Sequence, residues 1–278
     1  MTRSFRHLQL GPATITWLSD GQMEMPNSIF PAFDPALLDH VPGDAVRLPV
    51  AAFLIRHDGV TTLVDTSSPS ASADGTGHFH QSLADAGVST DEIDQIVVTH
   101  LHSDHYGGLS TPGGAARFGR ARLLIAAGEW RHKHDPGIFD RLTADDQASF
   151  GRARNAVAPY AGRTGLVTAG QIIAPGISVL PLPGHTPGHI GLTLRCGGQE
   201  ALILGDLLHY PPYQMANPGW SVIYDTDPDQ AVATRTAMLE DLAGGERLVL
   251  GAHLGRDGFC RIARAGRGYA LTDAGGGV

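Results

Sequence analysis

Cysteine is scarce in this 278-residue chain: Cys196 and Cys260 are the only two, far apart and in no metal-type spacing. That excludes a disulfide framework and a cysteine-built zinc site, and two buried, reduced thiols are expected. Positive charge is also in short supply. Lys and Arg total 20 against 28 Asp and Glu, for a net charge of −8 and no basic run. This balance argues against nucleic acid or an anionic membrane as partner. No apolar stretch reaches the ~18 residues of a membrane span. The opening MTRSFRHLQLGPATITWLSDG lacks the apolar region of a signal peptide. The expectation is a cytoplasmic protein with neither nucleic-acid nor membrane partners.

What is present suits a layered α/β domain rich in loops, with 42% hydrophobic residues, 36 Gly and 18 Pro. Leu8 to Leu18 reads as a strand broken at Gly11-Pro12. VAAFLIR (50–56) and VTTLV (60–64) flank His57-Asp58-Gly59, a hairpin signal. IVVT (96–99), Arg122 to Ala126, Ile177 to Leu182, Ile190 to Arg195, ALIL (201–204) and LVL (248–250) read as further strands. His78 to Ala86 reads as a short helix, and Ser89 or Thr90 can cap another. Asp227 to Leu242 is a helix capped by Asp227, with Pro228 in its first turn and Gly244-Gly245 as its stop. One domain over 1–278 is expected. It would have an irregular segment at about 20–49, a helical lid at about 129–160 and a flexible tail at 273–278.

The chemistry concentrates in HLHSDHYGG, residues 100–108. Four metal-competent side chains, His100, His102, Asp104 and His105, fall within six positions directly after a buried apolar strand. Residues two apart in extended chain face the same way, so His100 and His102 can share one ion. Asp104 and His105, past the turn, can reach a second. Gly107-Gly108 permits the tight backbone. A His-rich surface loop is the bland alternative, but the spacing, the preceding strand and the glycine pair weigh against it. Imidazole and carboxylate donors suit zinc, with iron and manganese as alternatives. No Ser or Cys triad motif is present.

This motif resembles the HxHxDH signature of the metallo-β-lactamase superfamily. The resemblance implies a third ligand for the first metal at His185 in PGHTPGH, a bridging carboxylate at Asp206 in LILGD, and a last histidine at His253 in LVLGAH. The implied fold is an αββα sandwich of two mixed β-sheets, with two divalent metal ions, zinc expected, at one edge. Asp65 in LVDTS matches a position where the family carries an Asp that orients a ligand histidine. His189, close after His185, reads as structural rather than ligating. His7, His40, His57, His78, His80, His132 and His134 have no supporting context, so a surface role is the default.

The stretch from Gly205 to Ala243, with GD-x-x-H, a Pro/Trp loop, a D-x-D-P segment and a helix containing Arg235, is similar to the branch of N-acyl homoserine lactonases and methyl-parathion-hydrolase-like enzymes. Where the small lactonases carry a Tyr facing the lactone carbonyl, this chain has His209, with Tyr210 beside it. The implied activity is quorum-quenching lactone opening or carboxylic ester cleavage by a hydroxide held between the two metals. Asp104 would serve as ligand and proton shuttle, with His209 or Tyr210 at the substrate. Phosphotriester or phosphodiester cleavage is the alternative, then a mono-iron sulfur dioxygenase. An apolar acyl lactone or ester is the expected small-molecule partner, and a homodimer is one candidate assembly. Phe30, Phe33, Tyr106, Trp130, Phe139, Phe150, Tyr213 and Trp220 are candidates for the wall of an apolar pocket, though for any single one of them ordinary core or lid packing is the better reading.

Overall fold

A computed structural model of the chain describes residues 3–38, 43–69, 75–244, 246–255 and 258–273. His40 and residues 274–278 of the expected tail lie outside them. The first sheet runs in sequence order through β1 (Phe5–Leu10), β2 (Ala13–Pro26), β3 (Ala45–His57), β4 (Val60–Val64), β5 (Gln95–Val98), β6 (Arg122–Ala126) and β7 (Thr164–Val167). It opens with antiparallel hairpins and becomes parallel from β4 onward. The second sheet comprises β8 (Ile172–Ala174), β9 (Ile177–Pro181), β10 (Ile190–Cys196), β11 (Gln199–Ile203), β12 (Leu248–Leu250), β13 (Cys260–Ala265) and β14 (Gly268–Asp273). It is antiparallel except for the parallel β11–β12 pair.

Strand periodicity explains the layers. Side chains alternate faces along a strand, so a strand covered on both sides must be apolar throughout. In β5, Val97 joins Phe53, Leu192, Ile203 and Leu250 in the core between the sheets. Its neighbours Ile96 and Val98 point the other way, into a second core with Phe79, Leu83, Ala153 and Val157. Those four come from α1 (Phe79–Asp85) and α5 (Ala144–Val157). Behind the second sheet, α7 (Pro228–Leu242) packs Leu239 and Leu242 against Leu202, Val249 and Ile262. The result is the αββα sandwich that the sequence implied. Among the described residues, no helix is long and apolar enough to cross a membrane.

Local signals explain several boundaries. Asp58 and Gly59 both take positive φ, 47° and 74°, in the tight β3–β4 hairpin that pairs His57 with Val60. The Asp227 carboxylate accepts from the Gln230 amide at the start of α7. The cap expected at Ser89 does form a capping box, but it closes only one 3-10 turn, Thr90–Glu92.

Two expectations need correction. Segment 20–49 is not irregular at its ends: β2 continues to Pro26 and β3 begins at Ala45, pairing Met25 with Val46 and Met23 with Leu48. Its side chains alternate between exposed and partly buried, a weak pattern that the Met and Pro content obscured. Asp273, assigned to the flexible tail, ends β14 and pairs with Cys260. The 129–160 region contains α3 (Ala127–His134), α4 (Pro136–Phe139), α5 and part of a 3-10 turn.

Candidate metal centre

The seven residues singled out lie at one edge of the sandwich, on turns that follow β5, β9, β11 and β12. His100 is buried just after β5, and His102 is the extended residue before α2 (Ser103–Tyr106), which carries Asp104 and His105. His185 sits in the β9–β10 connection, Asp206 beyond β11 and His253 beyond β12. Two main donor clusters result. His100, His102 and His185 form one; Asp104, His105, Asp206 and His253 form the other; His185, Asp206 and His209 make a third grouping that overlaps both.

In the first cluster three ring nitrogens face one another: His100 Nε2 to His102 Nδ1 at 3.0 Å, His102 Nδ1 to His185 Nε2 at 2.9 Å, and His185 Nε2 to His100 Nε2 at 3.2 Å. Lone pairs converging on one point suit a cation. Tetrahedral donors about 2.0–2.1 Å from zinc would stand roughly 3.3–3.4 Å apart, close to what is seen. The Asp206 carboxylate lies between the clusters. Its Oδ1 is 3.1 Å from His105 Nε2, while Oδ2 is 3.5 Å from His185 Nε2 and 3.4 Å from His253 Nε2. His105 Nε2 and Asp206 Oδ1 are buried without a hydrogen-bond partner. Buried polar atoms are normally satisfied, so these orphans, with an all-nitrogen-and-oxygen donor set, fit two divalent ions.

The electrostatics of the clusters differ. Burial holds His100 and His102 well below the usual histidine range, so both stay neutral and ligand-ready. Burial also acts against charge on His253, but Asp206 and Asp104 outweigh it and push the ring up to about 10. Asp206, Asp104 and Asp65 likewise overcome burial at His105 and hold it well above its ordinary value.

The surrounding groups aim each ligand. Asp65 takes a left-handed φ of 61°, strained for a non-glycine residue. Its carboxylate accepts from the Thr99 amide at 2.7 Å and the Thr99 hydroxyl at 2.9 Å, and it meets His105 Nδ1 at 2.9 Å. His185 Nδ1 meets Asp225 Oδ1 at 2.8 Å, and Asp225 Oδ2 is 3.6 Å from the buried Arg235 guanidinium. His253 Nδ1 donates to the Pro49 carbonyl. His189 donates from Nδ1 to the Leu182 carbonyl and accepts the Asp206 amide at Nε2. Both nitrogens are thus occupied in orienting the Asp206 turn. A Cβ at Gly205 would come within 2.4 Å of that Nε2, so this turn requires glycine.

Glu129 and Asp225 had no assigned part in the sequence reading. The Glu129 carboxylate, wholly buried on α3, accepts from the Leu101 amide, between His100 and His102, at 2.8 Å. It also accepts from the Thr186 hydroxyl, next to His185, at 2.6 Å. It ties together two turns far apart in sequence. The only available signal was an acid within a helical pattern, which ordinarily marks a solvated face. Asp225 stood in the D-x-D-P segment, but nothing local indicated its partner.

A cleft of about 900 Å³ opens on the clusters, bordered by His102, Asp104, His185, Asp206, His209 and His253. Met23, Met25, Leu48, Phe150 and Ile223 supply much of its apolar wall, together with Tyr106. Of the expected aromatic wall, Phe150 and Tyr106 are therefore in place. Phe30, Phe33, Tyr213 and Trp220 instead pack on one another beneath the β2–β3 hairpin. Trp130 stacks on His134, and Phe139 lies under Arg154. His209 is buried, its Nε2 3.3 Å from Asp206 Oδ2, and neither ring nitrogen has a hydrogen-bond partner. Tyr210 departs from expectation: it borders a neighbouring cavity of about 470 Å³ and packs edge-on against Tyr213. Pro211, which opens the short α6 (Pro211–Gln214), fixes the chain direction there.

A family model described as the metallo-beta-lactamase superfamily matches residues 45–253. The chain belongs to that superfamily. A probable metallo-hydrolase, Mb2322c of Mycobacterium bovis, is 29% identical over 135 residues, which are 45% of this chain and 40% of that protein. The match therefore spans well under half of that curated relative. A crystal structure of the hydrolase AbOPH in the beta lactamase superfamily is similar over 100% of both chains, at TM-score 0.91 and 26% identity. AidC, a dizinc quorum-quenching lactonase in complex with a product, is similar over 99% of both chains, at TM-score 0.91 and 22% identity. At that identity the second likeness is one of fold.

Proposed function

We propose that this protein is a metal-dependent hydrolase that opens a lactone or cleaves a carboxylic ester at a site holding two zinc ions. The observation that carries the reading is the Asp206 carboxylate standing between two donor clusters, with Oδ1 beside His105 and Oδ2 within 3.5 Å of both His185 and His253. One shared carboxylate and two clusters are more than a single ion requires, which favours a dinuclear hydrolase over a mono-iron oxygenase. AidC, similar in fold, is a dizinc lactonase, which is consistent with it.

In this reading His100, His102 and His185 would hold one ion, and Asp104, His105 and His253 the other, with Asp206 available to both. The ions would supply a water of lowered pKa and polarisation of the oxygen of the group under attack. The chain's own residues supply the rest. Asp104, which borders the cleft, takes up the proton that the attacking water or hydroxide gives up and passes it to the leaving alkoxide. His209, with an unpartnered Nε2, donates to a substrate oxygen. Met23, Met25, Leu48 and Phe150 receive the acyl part and exclude water. Asp65 and Asp225 keep the His105 and His185 rings turned to the metals.

The test is a panel of acyl lactones, aryl esters and phosphotriesters on protein whose metal content is quantified. Zinc-restorable turnover of lactones or esters, lost on chelation, is the expected result. Turnover confined to phosphotriesters would replace the substrate class. One iron per chain with dioxygen uptake would overturn the reading.

A further inference from the structure

Lys133 stands on α3, four residues after Glu129, and only 3% of it is exposed. It borders the same cleft as His102, His185 and Asp206. Its ammonium lies 4.1 Å from the centre of the Phe150 ring. Among the described residues it has no hydrogen-bond acceptor and no carboxylate at ion-pair distance. The two acids whose fields reach it are otherwise engaged. Glu129 commits one oxygen to Leu101 and the other to Thr186. Asp146 accepts the Thr143 hydroxyl at the exposed start of α5. Burial accordingly lowers the Lys133 pKa, with Glu129 and Asp146 opposing.

The Lys133 side chain is buried and its ammonium opens on the cleft, so it gives up part of its hydration with no protein acceptor in return. The Phe150 ring offsets part of that. A hydrophobic residue would fill the position at no such cost, so packing alone does not account for a lysine. Arg152, exposed on α5, borders the same cleft and adds positive charge near its mouth. We infer that Lys133 receives an oxyanion, carboxylate or phosphate, carried on the non-reacting part of the substrate. The scissile bond would lie at the His/Asp clusters, and an apolar spacer would run along Phe150. This rests on the hydrolase reading and sharpens it, from an apolar acyl substrate to one with a charged far end.

The experiment uses zinc-loaded protein and three aryl esters of one chain length, whose far ends are a methyl, a carboxylate or a phosphate. Wild type is expected to favour one charged ester over the methyl ester in kcat/KM, and the favoured one identifies the anion. In Lys133→Met that preference should fall about 10- to 100-fold, mainly through KM, with part recovered in Lys133→Arg. An unchanged preference in Lys133→Met, even with lower rates throughout, would overturn the inference, because a merely structural lysine lowers all three alike. Thermal unfolding checks that the variant is folded. If none of the esters turns over, the hydrolase reading fails separately. Calorimetric binding of the corresponding dicarboxylate and phosphocarboxylate to wild type and Lys133→Met then tests the anion site by itself. Equal binding, or none, counts against it.

Discussion

The N-terminal sheet carries its ligands on one continuous turn, His100 to His105 after β5, whereas the C-terminal sheet supplies His185, Asp206 and His253 from three separate turns. The means of holding them differ accordingly. Chain connectivity already keeps His100, His102, Asp104 and His105 together, and two buried acids complete the job: Asp65 below His105 and Glu129 beside Leu101. In the C-terminal half each ligand needs its own anchor. Asp225, backed by Arg235, serves His185; His189 serves the Asp206 turn; the Pro49 carbonyl serves His253. A contiguous motif is thus robust to loss of one support, while a distributed set depends on many long-range contacts.

Substitutions can break that comparison at graded strengths. Asp206→Ala removes the carboxylate proposed to serve both clusters, and turnover should fall on the order of 10³-fold or more. Metal per chain, read by elemental analysis, should fall with it; wild-type turnover would refute the bridging role.

Arg235→Leu strands the Asp225 carboxylate in the interior. Denaturant unfolding should register a loss of ~3–5 kcal/mol, the range for removing one partner of a buried pair. Arg235 also donates to the Leu207 and Pro218 carbonyls, so the loss should lie toward the upper end. Asp65→Ala, the corresponding lesion in the N-terminal half, should act on the metal more than on the fold. An affinity loss of ~10–100-fold is expected by competition with a chelator. If Asp65→Ala unfolds the protein and Arg235→Leu only releases metal, the contrast between halves is wrong.

Acid should loosen the N-terminal half. Burial, helped by the Arg117 charge, pushes the His80 ring down to about 4, from 6.5. A base with a depressed folded pKa contributes stability that is present above its unfolded value. That stability is lost as pH falls from about 6.5 toward about 4, because the unfolded chain binds the proton more readily. The unfolding midpoint of His80→Gln should therefore vary less with pH over that window than wild type; parallel profiles would exclude His80 as the cause. The smallest effect is expected from Asp227→Ala. It removes the cap of α7 and should cost ~1 kcal/mol in thermal unfolding with metal content unchanged.

Much of the fold was legible because buried strands leave a continuous apolar signature. IVV in β5 and LVL in β12 declare themselves. The half-exposed end of the β2–β3 hairpin does not, since Met23 and Met25 are only partly buried, lining the cleft at the margin of the small core that holds Leu48, and follow no strong alternation. Of the aromatic residues weighed for the cleft wall, Phe30, Phe33, Tyr213 and Trp220 pack on one another, the ordinary packing favoured for each. Tyr210 and His209 are adjacent in sequence, yet border different cavities, and no local pattern predicts how that turn divides them.

The sequence by itself determined which residues offer donor atoms and in what order. Donor spacing after a buried strand is a local property: backbone alternation and the turn glycines bring His100, His102, Asp104 and His105 close together, and Asp65 and Glu129 then fix their orientation. Only the tertiary structure decided that Asp206 stands between two clusters, that Glu129 ties the Leu101 and Thr186 turns, and that Lys133 faces the cleft unpaired. Those facts depend on which distant atoms fill the space around a side chain. Burial and partner geometry are set when the two sheets and their helices pack, and no sequence window contains them.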